Sequence, residues 1–136
     1  MLLVDTNVWL AAADRRSERH NDCAEVLRVH ARELAAPVPV IAETSWLILD
    51  RLGARSQNEF LRVVTSGRLE RIELIEEDWV RCVELAETYA DMELDLMDAS
   101  LVAVAERMRQ TDIATLNYRD FTAVRPRHVA AFGLLP

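Results

Sequence analysis

Short apolar runs alternate with longer amphipathic segments along the chain. The apolar runs predict strands at residues 2–4, 36–40, 71–75 and 112–116, and the tail 127–135 has room for a short fifth strand. Between them, apolar residues recur every three to four positions, which is the period of a helix with one buried face. Strands that alternate with helices predict right-handed crossovers and a parallel sheet. We therefore expect an α/β fold, a three-layer α/β/α sandwich around a central parallel sheet of four to five strands.

The helical segments lie between these strands. Predicted helices cover residues 7–13, 21–34, 41–52, 57–65 and 77–89, and an apolar helix that opens at Asp98 runs to residue 108. Gly53 stands just after the third of them, where glycine commonly ends a helix. In the helix 77–89, the spacing places Trp79, Val83 and Ala86 toward the core, and Trp9 is expected to be buried as well.

Length and composition favour one folded unit. The chain has 136 residues, of which 51% are hydrophobic, and it contains few glycines and prolines. We expect a single domain over residues 1–136. The start carries no basic segment and no run of about 20 apolar residues occurs, so we predict neither signal peptide nor membrane span and a cytoplasmic location. Cys23 and Cys82 lack the spacing of a zinc site or redox pair and are expected to be unlinked thiols.

All sixteen basic residues are arginine. Without lysine the chain cannot supply a Walker-type phosphate lysine, a Schiff base, or the lysine of receiver domains and haloacid-dehalogenase phosphatases. The net charge of −7 opposes non-specific attraction to nucleic acid, although local patches and metal ions decide specific contacts. An acidic balance of this kind favours a basic partner.

Three apolar segments each contain a single charged side chain: Asp5 in residues 1–13, Glu43 in residues 37–49 and Asp98 in residues 96–105. An isolated carboxylate in apolar surroundings is costly or becomes protonated. If the fold brings the three together, each pair at about 4 to 6 Å repels by about 3 to 4 kcal/mol at an effective dielectric near 20. A divalent cation with oxygen ligands relieves this repulsion, and Mg²⁺ or Mn²⁺ suits carboxylates better than zinc does.

Other polar residues accompany these carboxylates. Asp95 stands three residues before Asp98, and Asn117 follows the predicted strand 112–116. Because ligands bind at the carboxyl ends of strands in open α/β sheets, these residues are candidates for direct or indirect metal contact. A salt-bridged core residue is the alternative for Glu43, and helix capping is the alternative for Asp98. A positive rim beside the cleft, or else an ordinary solvated face, is expected of four arginines, Arg51, Arg55, Arg62 and Arg68.

Four motifs resemble the PIN-domain family, and specifically the VapC-type toxins of bacterial toxin–antitoxin modules. They are Val4-Asp5-Thr6-Asn7, Ala42-Glu43, Leu94-Asp95-Leu96-Met97-Asp98-Ala99-Ser100 and Thr115-Leu116-Asn117-Tyr118-Arg119-Asp120-Phe121. Their order and spacing cover almost the whole chain. The resemblance implies a PIN-like fold, a metal-dependent endoribonuclease, and Asp5, Glu43 and Asp98 as the ligands of Mg²⁺ or Mn²⁺.

The resemblance also implies further roles. Thr6 would orient Asp5 or a bound water through its hydroxyl. The family usually has a fourth acid where this chain has Asn117, so a second metal should bind more weakly. Asp120 would either replace the missing acid or have a structural role at the start of a helix. Arg119 joins Arg51 and Arg55 as an RNA-contact candidate. The implied partners are an RNA substrate such as tRNA, a second copy of the chain, and an antitoxin whose basic segment covers the cleft.

Two other functions use the same first motif. A haloacid-dehalogenase phosphatase with Asp5 as nucleophile needs an acid where Asn7 stands and a lysine that the chain lacks. A non-catalytic receiver-like domain needs an acidic neighbour for Asp5 and the same lysine. We therefore favour RNA hydrolysis by a metal-activated water, and expect Asp5→Asn or Asp98→Asn to abolish cleavage while leaving the fold intact or more stable.

Overall fold

A computed structural model describes all 136 residues and contains a five-stranded parallel sheet in the order β3-β2-β1-β4-β5. The strands are β1 (Leu2–Val4), β2 (Leu34–Pro37), β3 (Leu69–Ile72), β4 (Asp112–Ala114) and β5 (Gly133–Leu135). The helices are α1 (Thr6–Ala13), α2 (His20–Val29), α3 (Val38–Leu52), α4 (Ala54–Thr65), α5 (Glu76–Thr88), α6 (Leu96–Met108) and α7 (Tyr118–Ala123), with a 3₁₀ turn at Ala90–Met92. The predicted α/β fold, including its fifth strand, is confirmed.

The order of the strands positions the site. The chain moves outward from β1 through β2 to β3, then returns across the sheet to β4 and β5. Right-handed crossovers therefore place α1 to α4 on one face of the sheet and α5 to α7 on the other. The direction reverses between β1 and β4, and the crevice outside the carboxyl ends of such strands is where open α/β sheets bind ligands.

The core surrounds the central strand and one helix. All three residues of β1 are buried, and α6 is buried continuously from Asp98 to Ala105. Such a helix is apolar all round because other elements enclose it. Trp9 is buried as predicted, and Cys23 and Cys82 are buried free thiols. None of the helices combines the length and the apolar character that a bilayer crossing requires.

Several predicted boundaries are displaced. The predicted helix 21–34 ends at Val29, because Leu34 already begins β2. The predicted strand 36–40 is wrong beyond Pro37, since the next residues form the first turn of α3. Pro39 fits there because the first turn of a helix needs no N–H donor. The third strand likewise lies two to three residues earlier than predicted. As a result α3 follows β2 with no linking residue.

The predicted orientation of α5 is wrong. Its exposed face includes Trp79, Val83 and Ala86. Its buried face consists of Asp78, Cys82 and Leu85. The helix is rotated because Asp78 accepts the backbone N–H of Ile75 and forms an ion pair with Arg107, on α6. These polar contacts fix a rotation that apolar periodicity alone does not indicate.

Candidate metal centre at the carboxyl edge of the sheet

Asp5 lies directly after β1 and is held by three donors. The residue is only 4% exposed, and its carboxylate accepts hydrogen bonds from the Thr6 backbone N–H at 2.7 Å and the Asn7 side-chain amide at 2.7 Å. The hydroxyl of Thr115, which follows β4, donates to it at 2.8 Å. Donors from two adjacent strand ends therefore fix both oxygens of this carboxylate.

Glu43 reaches the same region from the second turn of α3. The hydroxyl of Thr6 donates to Glu43 Oε2 at 2.7 Å, and Thr6 Oγ1 accepts from the hydroxyl of Thr44 at 3.1 Å. Thr6 was expected to orient Asp5 or a bound water through its hydroxyl. In the structure the hydroxyl orients Glu43, and the contact with Asp5 comes from the backbone N–H of Thr6.

Asp98 lies in the first turn of α6, but it does not cap the helix. Asp95 is the N-cap residue, and its side chain accepts the backbone N–H of Asp98 at 2.9 Å. The capping role considered for Asp98 thus belongs to Asp95. The Asp98 carboxylate itself accepts one side-chain hydrogen bond, from Asn117 at 3.0 Å. It is therefore far less saturated with donors than Asp5.

Asn117 joins two acids. Its side-chain amide donates to Asp98 Oδ2 at 3.0 Å and to Asp120 Oδ2 at 2.9 Å. The other oxygen of Asp120 pairs with the exposed side chain of Arg119 at 3.1 Å. Asp120 is thus brought to the edge of the cluster through Asn117, whose neutral amide stabilises both carboxylates without adding negative charge.

The cluster is strongly acidic. Burial raises the pKa of Asp5 to about 6, with smaller contributions from Glu43 and Asp95, and its hydrogen bonds offset part of the shift. Burial and the nearby charges of Asp5, Asp95 and Asp120 raise the pKa of Asp98 to about 8. Asp5, Glu43 and Asp98 form no ion pair with any arginine. Because no side chain neutralises these carboxylates, the chemistry of the cluster favours a bound cation.

All three isolated carboxylates line one cleft of about 250 Å³, together with Asp95 and Asn117. Carboxylate and amide oxygens are the ligands that Mg²⁺ and Mn²⁺ prefer. No three Asp, Glu, His or Cys side chains converge closely enough to hold an ion among themselves. Because Mg²⁺ usually keeps several waters and takes only one or two carboxylates, the residues present fit a hydrated ion of this kind.

The three arginines predicted to contact RNA are placed differently. Arg51 lines the carboxylate cleft and has no ion-pair partner. Arg55 lies outside this cleft, is almost fully exposed and pairs with Glu59 at 3.5 Å. Arg119 pairs with Asp120 on the outer side of the cluster. Of the three, Arg51 alone has a free guanidinium beside the carboxylates.

Asn7 and Thr115 were not among the predicted site residues. Asn7 donates to Asp5 and accepts the backbone N–H of Leu116 through its Oδ1 at 2.9 Å, so it ties the ends of β1 and β4 together. Both residues stand just after a strand, which is the signal that could have identified them. Asn7 occupies the position where a phosphatase with Asp5 as nucleophile would need an acid.

The family model for the PIN domain matches residues 2–125. The chain belongs to the PIN domain family. The matched range contains every carboxylate of the cleft, from Asp5 to Asp98, and also Asp120 beside it. Ribonucleases of the PIN domain family generally use a divalent metal ion, in agreement with the donor set of this cleft.

Individual proteins are similar over nearly the full length of the chain. Ribonuclease VapC26 of Mycobacterium tuberculosis is 27% identical over 135 residues, covering 99% of this chain and 100% of that protein. The crystal structure of VapC20 from the same organism, described as a sarcin-ricin loop cleaving toxin, superimposes with a TM-score of 0.83 at 19% identity and covers 95% of this chain and 98% of that one. A toxin–antitoxin complex from Klebsiella pneumoniae gives a TM-score of 0.68 at 22% identity, with 95% and 100% coverage. These two structures share the fold.

Proposed function

We propose that this PIN domain is a metal-dependent endoribonuclease, the toxin of a VapBC-type toxin–antitoxin module. The observation that carries the proposal is the group of three carboxylates that share one cleft with no cationic side chain paired to them. A relative similar over the whole chain is named a ribonuclease, and a protein of the same fold is described as a toxin that cleaves RNA. A structured RNA, with tRNA as the first candidate, is the proposed substrate.

In this proposal Asp5, Glu43 and Asp98 together hold a hydrated Mg²⁺ or Mn²⁺, with one or two of them bound directly and the rest through its waters. Such an ion, when bound, lowers the pKa of a water and offsets the charge that develops on a phosphate. Asp5 is fixed by its three donors, so it contributes a rigid ligand. Thr6 holds one oxygen of Glu43, which leaves the other oxygen free to accept a proton from an attacking water. Asn117 orients Asp98.

We propose that the antitoxin covers this cleft with a basic segment. The chain carries a net charge of −7, and its cleft concentrates four carboxylates that form no ion pair with an arginine. An arginine of the partner would supply the counter-charge in place of a metal ion. The similar toxin–antitoxin complex from Klebsiella pneumoniae is consistent with such a partner. The single domain 1–136 would act in the cytoplasm, where its RNA substrate is found.

The first test is RNA cleavage by the purified chain. With total RNA and Mg²⁺ we expect discrete new 5′ ends, which EDTA abolishes and Mn²⁺ restores, because the carboxylates bind substrate phosphate only through an ion. Mapping of 5′ ends by sequencing gives the measurement, and a Glu43→Gln protein is the matched control. Ends that form equally well in EDTA, or with Glu43→Gln, would contradict the proposal.

We further propose that a second copy of the chain covers α5. Ile75, Trp79 and Val83 follow one another at four-residue spacing and are all exposed, with Trp79 at 44% and Val83 at 57%. Val80, on the same helix, is also exposed. Monomeric proteins rarely expose contiguous apolar patches of this kind, and a homodimer buries such a surface against its own copy.

Glutamate at the dimer surface should separate the two copies. We expect Trp79→Glu to raise the dissociation constant at least about 30-fold, since removing a central aromatic residue from an interface costs about 2 kcal/mol or more. Sedimentation equilibrium at micromolar concentration measures the effect, and Val29→Glu, on exposed α2, is the control. A parent protein that sediments as a monomer would refute the proposed dimer.

A further inference from the structure

A second cleft adjoins the carboxylate cleft and shares a wall with it. Its volume is about 270 Å³, and the residues common to both clefts are Asn7, Leu10 and Arg51. Because the two clefts meet along these residues, they form one groove that leads away from Asp5. We call the second cleft, lined also by Asp14, Ser17, Leu52 and Leu116, the flanking groove.

The floor of the flanking groove is apolar. Leu10, Leu52 and Leu116 line it, and each is partly rather than fully buried. Apolar side chains left accessible directly beside a charged cluster offer a surface for the face of an unstacked base. Proteins that recognise single-stranded RNA bind such bases against flat side chains, including arginine guanidinium groups. The floor therefore fits a nucleobase better than a second phosphate.

Arg51 stands between the two clefts. It lies in the last turn of α3, is exposed, and forms no ion pair or side-chain hydrogen bond. A guanidinium without a protein partner can bind a phosphate with two parallel hydrogen bonds. A phosphate held there would link a nucleotide at the carboxylates to a nucleotide in the flanking groove.

Asp14 supplies a polar edge to the flanking groove. Its Oδ1 accepts the backbone N–H and the Nε of Arg16 at 3.0 and 3.1 Å, whereas Oδ2 has only a long contact of 3.5 Å with the same guanidinium. An ionised carboxylate can only accept hydrogen bonds. Because Oδ2 retains acceptor capacity, it favours a base whose edge presents N–H donors, of which guanine offers two side by side.

We propose that the flanking groove binds the nucleotide one step beyond the nucleotide at the carboxylates and selects a base that carries an exocyclic amino group. Arg51 binds the phosphate between the two nucleotides, the leucine floor receives the base, and Asp14 accepts from its amino group. This inference rests on the proposed endoribonuclease function and adds to it a determinant of the cleavage site.

Cleavage of short oligoribonucleotides with each of the four bases at the positions flanking the cut tests the inference. We expect Arg51→Gln to raise KM at least tenfold with kcat changed less than twofold, and Arg51→Lys to recover part of the loss because it keeps the charge without the planar fork. Arg32→Gln removes the same charge from an exposed arginine before β2, at the opposite edge of the sheet, and should have no effect. Asp14→Asn should reduce the preference for amino-bearing bases at least tenfold.

The outcomes separate the two levels of the proposal. Metal-dependent cleavage that is insensitive to Arg51→Gln, or a base preference unchanged in Asp14→Asn, overturns the flanking groove while leaving the nuclease intact. Equal effects of Arg51→Gln and Arg32→Gln would show a general loss of charge and also overturn it. A parent protein that cuts no RNA overturns the proposed function and this inference together.

Discussion

Asp98→Asn is expected to reduce RNA cleavage by about 100- to 1,000-fold and at the same time to stabilise the metal-free protein at pH 8. The loss of activity follows because the site loses one of its charged ligands, and single groups that stabilise developing charge are worth about this much in enzymes. The gain in stability follows because Asp98 is buried among Asp5, Asp95 and Asp120, all of which disfavour its charged form.

The raised pKa of Asp98 determines how the stability of the protein changes with pH. The pKa of this group rises from 3.8 to about 8 on folding, so its contribution to stability is fully present below pH 3.8 and is lost as pH increases through 8. Asparagine does not titrate and escapes this loss. One pKa unit corresponds to about 1.4 kcal/mol, and allowing for screening of a partly accessible site we expect a gain of about 2 kcal/mol at pH 8.

Urea unfolding of both proteins at pH 5 and pH 8 in EDTA measures this effect. The exposed Asp91→Asn variant controls for the loss of one negative charge. Addition of Mg²⁺ at about 100 times its dissociation constant should then stabilise the parent by about 2.7 kcal/mol, and Asp98→Asn much less. A variant that cleaves RNA normally and unfolds with the same pH dependence as the parent would exclude Asp98 from the site.

The corresponding expectation for Asp5→Asn changes once the hydrogen bonds are known. Asp5 accepts from Thr6, Asn7 and Thr115, so an asparagine amide group would face at least one of these donors. The relief of buried charge is then offset by a donor left without an acceptor. Asp98→Asn is the cleaner substitution because its carboxylate accepts a single side-chain donor.

Asp78→Ala is expected to lower the free energy of unfolding by about 3 kcal/mol. Asp78 is buried on α5, where both of its oxygens accept Nε of Arg107 at 3.0 Å and one accepts the backbone N–H of Ile75 at 3.1 Å. Breaking a buried ion pair from one side costs about 3 to 5 kcal/mol. The lower end applies here because the Arg107 side chain is 31% exposed and can be solvated.

Chemical denaturation with urea measures this loss. Glu77→Ala removes the exposed acid next to Asp78, in the same helical turn, and should cost less than about 0.5 kcal/mol. The cost of Asp78→Asn should lie between those of Asp78→Ala and Glu77→Ala, since the amide oxygen of asparagine still accepts one hydrogen bond. A cost of Asp78→Ala equal to that of Glu77→Ala would mean that the ion pair with Arg107 contributes nothing to stability.

The strands and the three central carboxylates could be predicted because their signals are local. Asp5, Glu43 and Asp98 each stand alone in an apolar segment, and a lone charge in such a segment must be explained by a partner elsewhere. Because strands that alternate with helices form a parallel sheet, the carboxyl ends of the strands meet at one edge of the sheet. These two arguments are sufficient to bring Asp5 and the residues after β4 together.

The contacts between side chains could not be predicted in this way. The hydrogen bond from Thr6 to Glu43 joins residues 37 positions apart, and the bridge that Asn117 makes between two acids depends on where α6 begins. The predicted rotation of α5 was wrong for a similar reason, since the ion pair between Asp78 and Arg107 overrides the apolar periodicity. The contact of Thr6 with Glu43, that of Asn117 with Asp98 and the ion pair of α5 are polar interactions between distant segments, which leave no periodic signal in the sequence.

The direct passage from β2 into α3 gives the protein little tolerance for a change of length at this point. One residue added between Pro37 and Glu43 would turn the glutamate by about 100° around the helix axis, away from the hydroxyl of Thr6. The exposed residues between α1 and α2 could absorb the same insertion without disturbing the sheet edge. Insertions and deletions among homologous chains should therefore accumulate at that connection, while the spacing between the second strand and the glutamate stays constant.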